Sequence, residues 1–320
     1  MNKANQNKNI LVDLSKSSNM TVDKIINFYE SQRKIMPKIV TPGLMQRASN
    51  LLEISKNFDV FIFDSFGVLN TGNKVNPNVI SILQKLNFQG KLIFALTNGA
   101  TYPTKIKFKT FKQWGMPFKQ EHVISSRDCL KKEISNMKEK FWGVIGAPMS
   151  DVNELGVRGL IINSDLTNID ECNGLIFLGS DNWNKRNQKR LYNYLLHRPL
   201  PIYIANPDII APTQSGFLLQ PGYWGWLLRE IKGVEIKFVG KPYRDVYDLL
   251  IKKINSQLNT KIDYKRIAMV GDSLHTDILG GSMAKFSTIL VTDYGFFANG
   301  GYMKAIKKTK IQPDWIIPIL

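Results

Sequence analysis

Asp59-Val60-Phe61-Ile62-Phe63-Asp64 is a short run of unbroken apolar character that ends in a carboxylate. A strand covered on both faces needs such a run, because neither face meets water. Residues 91–96 (KLIFAL) and 266–270 (RIAMV) read the same way. Each run leads into a polar or glycine-rich turn and then a helix-like segment. Strand, turn and helix in repetition predict a doubly wound α/β fold around a parallel sheet. Between the second and third runs lies a further set of signals, with strands at 141–145, 159–162, 175–178 and 202–205 and helices at 184–196 and 222–231. This insertion, residues 101–236, is long enough to form a second α/β domain. Upstream, Thr21 is placed to cap a helix in which Val22, Ile25, Ile26 and Tyr29 share one face. The prolines and glycine between Met36 and Gly43 end it. The predicted organisation is an N-terminal helical extension (1–44), a core built from 45–100 and 237–320, and the insertion 101–236.

Composition narrows the setting. The 320 residues carry 43 Lys and Arg against 26 Asp and Glu, a formal charge of +17. No run approaches the ~18 apolar residues of a membrane span, and Met1–Lys8 lacks the apolar core of a secretory leader. Cys129 and Cys172 are too few for a disulfide framework or a thiolate zinc site, so a reducing, cytoplasmic setting is expected. The lysines are scattered, with local clusters at Lys105, Lys107, Lys109 and Lys112 and at Lys304, Lys307, Lys308 and Lys310. No nucleic-acid motif accompanies them, which disfavours that partner. The same positive field suits a small phosphorylated metabolite.

Four motifs stand at four strand ends. Asp64, in Asp64-Ser65-Phe66-Gly67, places a carboxylate where open α/β sheets bind ligands. It can serve there as nucleophile or metal ligand, or simply cap a helix. Thr97-Asn98-Gly99 offers a hydroxyl and outward amides to phosphate oxygens, or forms an ordinary tight turn. Lys241, in Val239-Gly240-Lys241-Pro242, can neutralise phosphate or remain a surface lysine; it does not form a phosphate-binding P-loop. Gly271-Asp272, followed by Asp277, suits a hard cation such as Mg²⁺, or a helix cap.

In this order and at these positions the four motifs resemble the haloacid dehalogenase (HAD) superfamily, over about residues 45–300. The insertion resembles the α/β cap of the NagD-like subgroup: Phe177-Leu178-Gly179-Ser180-Asp181 and Ala205-Asn206-Pro207-Asp208, with Gly216, Pro221 and Gly222, match its landmarks. The resemblance implies a parallel-sheet HAD core with the cap inserted between the second and third motifs. It also implies a Mg²⁺-dependent phosphomonoester hydrolase working through an aspartyl-phosphate on Asp64. Mg²⁺ would be held by Asp64, the Phe66 carbonyl and Asp272, with Asp277 orienting a metal-bound water. Thr97, the Asn98 amide and Lys241 would hold the phosphoryl group. A homodimer through the cap is the assembly it suggests.

Phe66 departs from the pattern. Phosphatases of this family carry aspartate there, as general acid and base, and phenylalanine can do neither. Losing such a group costs ~10²–10⁴ in rate. Four readings follow: a slow or specialised phosphatase acting on an activated leaving group or using an acid such as Asp181 or Asp208; a phosphate-ligand binding protein that has lost turnover; another reaction of the superfamily, such as phosphoryl transfer or carbon–halogen chemistry; and, last, a basic nucleic-acid or surface-binding protein. His275 is expected to face solvent in the first turn of its helix. Tyr223, Trp224 and Trp226 are expected to pack as a helix face rather than line a substrate pocket.

Overall fold

The computed structural model describes residues 13–16, 20–258 and 261–320. Two parallel sheets carry the architecture. The first has seven strands, in the spatial order Gln46–Arg47, Trp315–Ile317, Ser287–Val291, Ile267–Gly271, Val60–Phe63, Leu92–Thr97 and Val123–Ser125. Val60–Phe63 and Ile267–Gly271 are buried throughout, as their unbroken apolar sequences require. Each such side chain removed from water contributes about 1.5–3 kcal/mol. Because the strands are parallel, Asp64, Thr97 and Asp272 emerge side by side at one edge, from three adjacent strands.

The second sheet has five parallel strands, ordered Ile236–Phe238, Ile202–Ile204, Gly174–Phe177, Phe141–Ile145 and Arg158–Ile161. Two features differ from the sequence reading. Val123–Ser125, inside 101–236, pairs with Leu92–Thr97 and so extends the first sheet. Three residues are too few to announce a strand by pattern. The helix expected over 222–231 stops at Trp226, its Tyr223, Trp224 and Trp226 all buried.

The helix Val22–Ser31 starts at Thr21, whose hydroxyl accepts a hydrogen bond from the Lys24 amide. It lies against both sheets. Ile25, Phe28 and Tyr29 belong to one apolar cluster with Phe177, Ile204 and Tyr223 of the second unit and Leu274, Ile278 and Phe296 of the first. Part of the basic C-terminal cluster is spent here, since Lys304 pairs with Asp23 and Lys308 donates to Asn27. Cys129 and Cys172 are both free and buried. Among the described residues, no helix is long and apolar enough to cross a membrane.

Candidate active site

The strand Val60–Phe63 delivers Asp64 to the sheet edge, where its amide donates to the Val270 carbonyl at 2.9 Å. Lys241 arrives from the last strand of the second sheet, Ile236–Phe238. Its Nζ lies 2.5 Å from Asp64 Oδ1 and 2.7 Å from Asp277 Oδ1, with the lysine side chain 1% exposed. Carboxylate oxygens of Asp64, Asp272 and Asp277 lie within 4.8 Å of one another. Residues that sequence placed at three strand ends, Asp64, Lys241 and the pair Asp272 and Asp277, are therefore in one cluster.

The second motif aligns this lysine. Asn98 Oδ1 accepts from the Lys241 amide at 2.7 Å, and its Nδ2 donates to the Lys241 carbonyl at 2.9 Å. Gly240 has φ +125°, and a Cβ there would stand 2.5 Å from Asn98 Oδ1, so only glycine permits this clasp. Gly67 plays a matching part beside Asp272: at φ +87° its Cβ would fall 1.9 Å from Asp272 Oδ2. Thr97 Oγ1 accepts from the Gly99 amide at 3.0 Å, fixing the turn whose amides sequence assigned to phosphate.

Electrostatically the cluster is short of positive charge. Three carboxylates face one ammonium, two negative charges in excess when all are ionised. Burial pushes the Asp64 carboxyl up to about 7 against the pull of Lys241, with Asp277 adding to the rise. Burial, then Asp277 and Asp64, lift Asp272 well above the carboxylate range. Burial disfavours the Lys241 ammonium, but Asp277 and Asp64 outweigh it and keep it protonated. Such a surplus, presented by hard oxygen donors, fits a divalent cation. Asp277 has both oxygens engaged, by Lys241 and by the Ser273 amide at 3.2 Å. Asp272 Oδ2 accepts from the Phe296 amide at 2.7 Å.

Asp272→Asn tests this balance. Without metal the variant is expected to be at least as stable as the parent, because it removes repulsion; roughly 1 kcal/mol of relief corresponds to about 2 °C in a chain of this size. Its stabilisation by Mg²⁺ should be lost. A thermal melt showing the parent's full Mg²⁺ shift in the variant would refute a metal role for Asp272.

Around the cluster stand Asp208, which the sequence offered as a candidate acid, and two side chains of the N-terminal helix and the fourth motif that it did not assign there. Asp208 sits 2.8 Å from Asn98 Nδ2, and burial, more than Lys241 and Asn98 can offset, raises it to about 6. Asp64, Phe66, Thr97, Asp208, Asp272 and Tyr29 border a pocket of about 20 Å³. Phe66 and Asp208 also border a cavity of about 560 Å³, together with Lys107, Asp181 and Gln220. Asp208 thus borders both. Tyr29 comes from the N-terminal helix, where its amphipathic spacing gave no sign of a site; its hydroxyl accepts from the Ile209 amide at 3.0 Å. His275 is buried, contrary to expectation. A π-helical turn, Leu274–Ile278, rotates its ring inward to stack on Tyr29 with centroids 4.5 Å apart, and Nε2 lies 2.7 Å from Glu30 Oε1.

The comparisons agree with this geometry. The model of the haloacid dehalogenase-like hydrolases matches residues 61–158, and a second, described as HAD-hydrolase-like, matches 238–320. A 4-nitrophenylphosphatase of Schizosaccharomyces pombe is 28% identical over 257 residues, covering 72% of this chain and 84% of that protein. A "possible sugar phosphatase, HAD superfamily" from Cytophaga hutchinsonii superposes with a TM-score of 0.73 at 27% identity, over 86% of this chain and 98% of the other. NagD from Escherichia coli K-12 shares the fold, with a TM-score of 0.58 at 21% identity over 82% and 96% of the two chains. With its motifs gathered at the edge of one parallel sheet and a second α/β sheet set over them, the chain belongs to the haloacid dehalogenase superfamily.

Proposed function

We propose that the protein is a Mg²⁺-dependent hydrolase of small phosphomonoesters that works through Asp64, with the five-stranded sheet and its helices acting as the cap and Asp208 supplying the proton that Phe66 cannot. The observation that carries this reading is the contact of Asp64 with Lys241 at 2.5 Å, inside a buried carboxylate cluster whose pocket shares Phe66 and Asp208 with a cavity of about 560 Å³. The similarity to a 4-nitrophenylphosphatase supports it.

In this mechanism Asp64 attacks phosphorus, forming an aspartyl-phosphate as the bond to the leaving oxygen breaks. Asp208 gives its proton to that oxygen, and its carboxylate then takes one from the water that hydrolyses the acyl-phosphate. Lys241, with Thr97 and the Asn98 amide, offsets charge on the phosphoryl oxygens. A divalent cation held by Asp64, the Phe66 carbonyl and Asp272, with Asp277 orienting its water, would supply the remaining charge neutralisation.

p-Nitrophenyl phosphate tests the reading, because its leaving group departs without a proton. Mg²⁺-dependent hydrolysis, removed by chelation, is expected. A folded protein that binds Mg²⁺ and phosphate but releases no nitrophenolate would instead be a phosphate-ligand binding protein, the reading that Phe66 favours.

A further inference from the structure

Lys107 is a cation for which the phosphoryl chemistry has no use. It lies in the helix Thr104–Gln113, and its Nζ stands over the Phe66 ring, 4.4 Å from the centroid, with Phe111 second at 5.7 Å. It is partly buried, and among the described residues no carboxylate reaches it within ion-pair distance. Asp64 is the carboxylate that acts on it electrostatically, and Asp64 is already bonded to Lys241. A partly desolvated ammonium without a counter-ion is unfavourable, and a ring face offsets only part of that cost.

Its placement shows where the missing anion belongs. Lys107 borders the 560 Å³ cavity but not the 20 Å³ pocket beside Asp64. The rest of that cavity is mostly uncharged, with Asn70, Asn206 and Gln220 beside Tyr102, Ile106 and Trp114 among its walls. Of its two carboxyls, Asp208 is the proton donor named above and Asp181 is exposed. Lys105, Lys109 and Lys112 project from the same helix into solvent and deepen the positive potential on that wall.

We propose that Lys107 forms a second anion subsite, so that the preferred substrates are phosphomonoesters bearing a further anionic group, such as a carboxylate, on the leaving portion. The proposal rests on the phosphohydrolase reading, since the phosphoryl group must occupy the Asp64 pocket for the remainder to extend over Phe66. In place of aspartate, Phe66 then acts as the platform that holds the ammonium facing the cavity.

The test uses stable phosphonates with Mg²⁺ on the full chain, measured by calorimetry: phosphonoacetate and 3-phosphonopropionate, each against its carboxylate methyl ester. At least one acid is expected to bind ~10-fold or more tightly than its ester, as befits a charge-assisted hydrogen bond. In Lys107→Met that ratio should collapse towards unity, whereas Lys107→Arg should keep it. The ratio cancels any general change in phosphonate affinity. An equal affinity for acid and ester in the parent overturns the subsite, as does a preference that survives Lys107→Met. If no phosphonate binds at all, the phosphohydrolase reading itself falls, and this inference with it.

Discussion

Asp64→Asn is expected to lower turnover of every phosphomonoester by ~10⁴-fold or more, the scale seen when a covalent nucleophile is removed. The amide is nearly isosteric, and Lys241 keeps its 2.7 Å partner in Asp277, so the fold should survive. That separates loss of chemistry from loss of structure. The parent, quenched in acid during turnover, should carry one phosphoryl adduct on the peptide containing Asp64; the variant should carry none. An adduct on another residue, or undiminished turnover, would remove Asp64 from the reaction.

The second large effect belongs to Asp208. Asp208→Asn is expected to slow hydrolysis of alkyl or sugar phosphates by ~10²–10⁴-fold, while p-nitrophenyl phosphate loses far less in its first step. The pH dependence has a definite sign. Asp208 is raised to about 6, and the acid must be protonated to serve the leaving oxygen. The ratio of alkyl to nitrophenyl turnover should therefore be highest below that pH and fall as pH rises through it. Taking the ratio cancels the ionisation of Asp64, which both substrates share. Adding Phe66→Asp to Asp208→Asn should recover part of the loss by returning an acid to the usual position. Lys107, 4.4 Å from the ring that it replaces, would hold the new carboxyl ionised, so recovery should be greatest in mild acid. If Asp208→Asn slows both substrates equally, Asp208 is not the proton donor.

What the sequence revealed is what local pattern can encode. Val60–Phe63 must be buried because it has no polar face, and the carboxylate, hydroxyl and Gly-Asp pair at strand ends must share an edge once the strands are parallel. Lys241 was legible from the glycine and proline around it. What went unread depends on contacts between remote segments: Asn98 and Asp208 were each named from sequence, but their contact was not. Asn98 and Asp208 meet across 110 positions, and nothing near Asp208 signals its partner. Lys107 looked like one member of a solvated lysine run, and only the orientation of its helix sets it over Phe66. His275 was misplaced because the expectation assumed a regular α-helical turn, and the π-helical turn carries that side chain to the inner face.

The helix Val22–Ser31 gives the molecule a seam. Tyr29 bonds to Ile209 of the second unit while stacking on His275 of the first, and Phe28 packs against Tyr223 with centroids 5.2 Å apart. Parting the sheets means breaking that hydrogen bond and wetting those rings together, so the opening is a cooperative event rather than a loose swing. If substrate entry requires the two sheets to part, turnover at Asp64 would wait on a helix that the four motifs do not include.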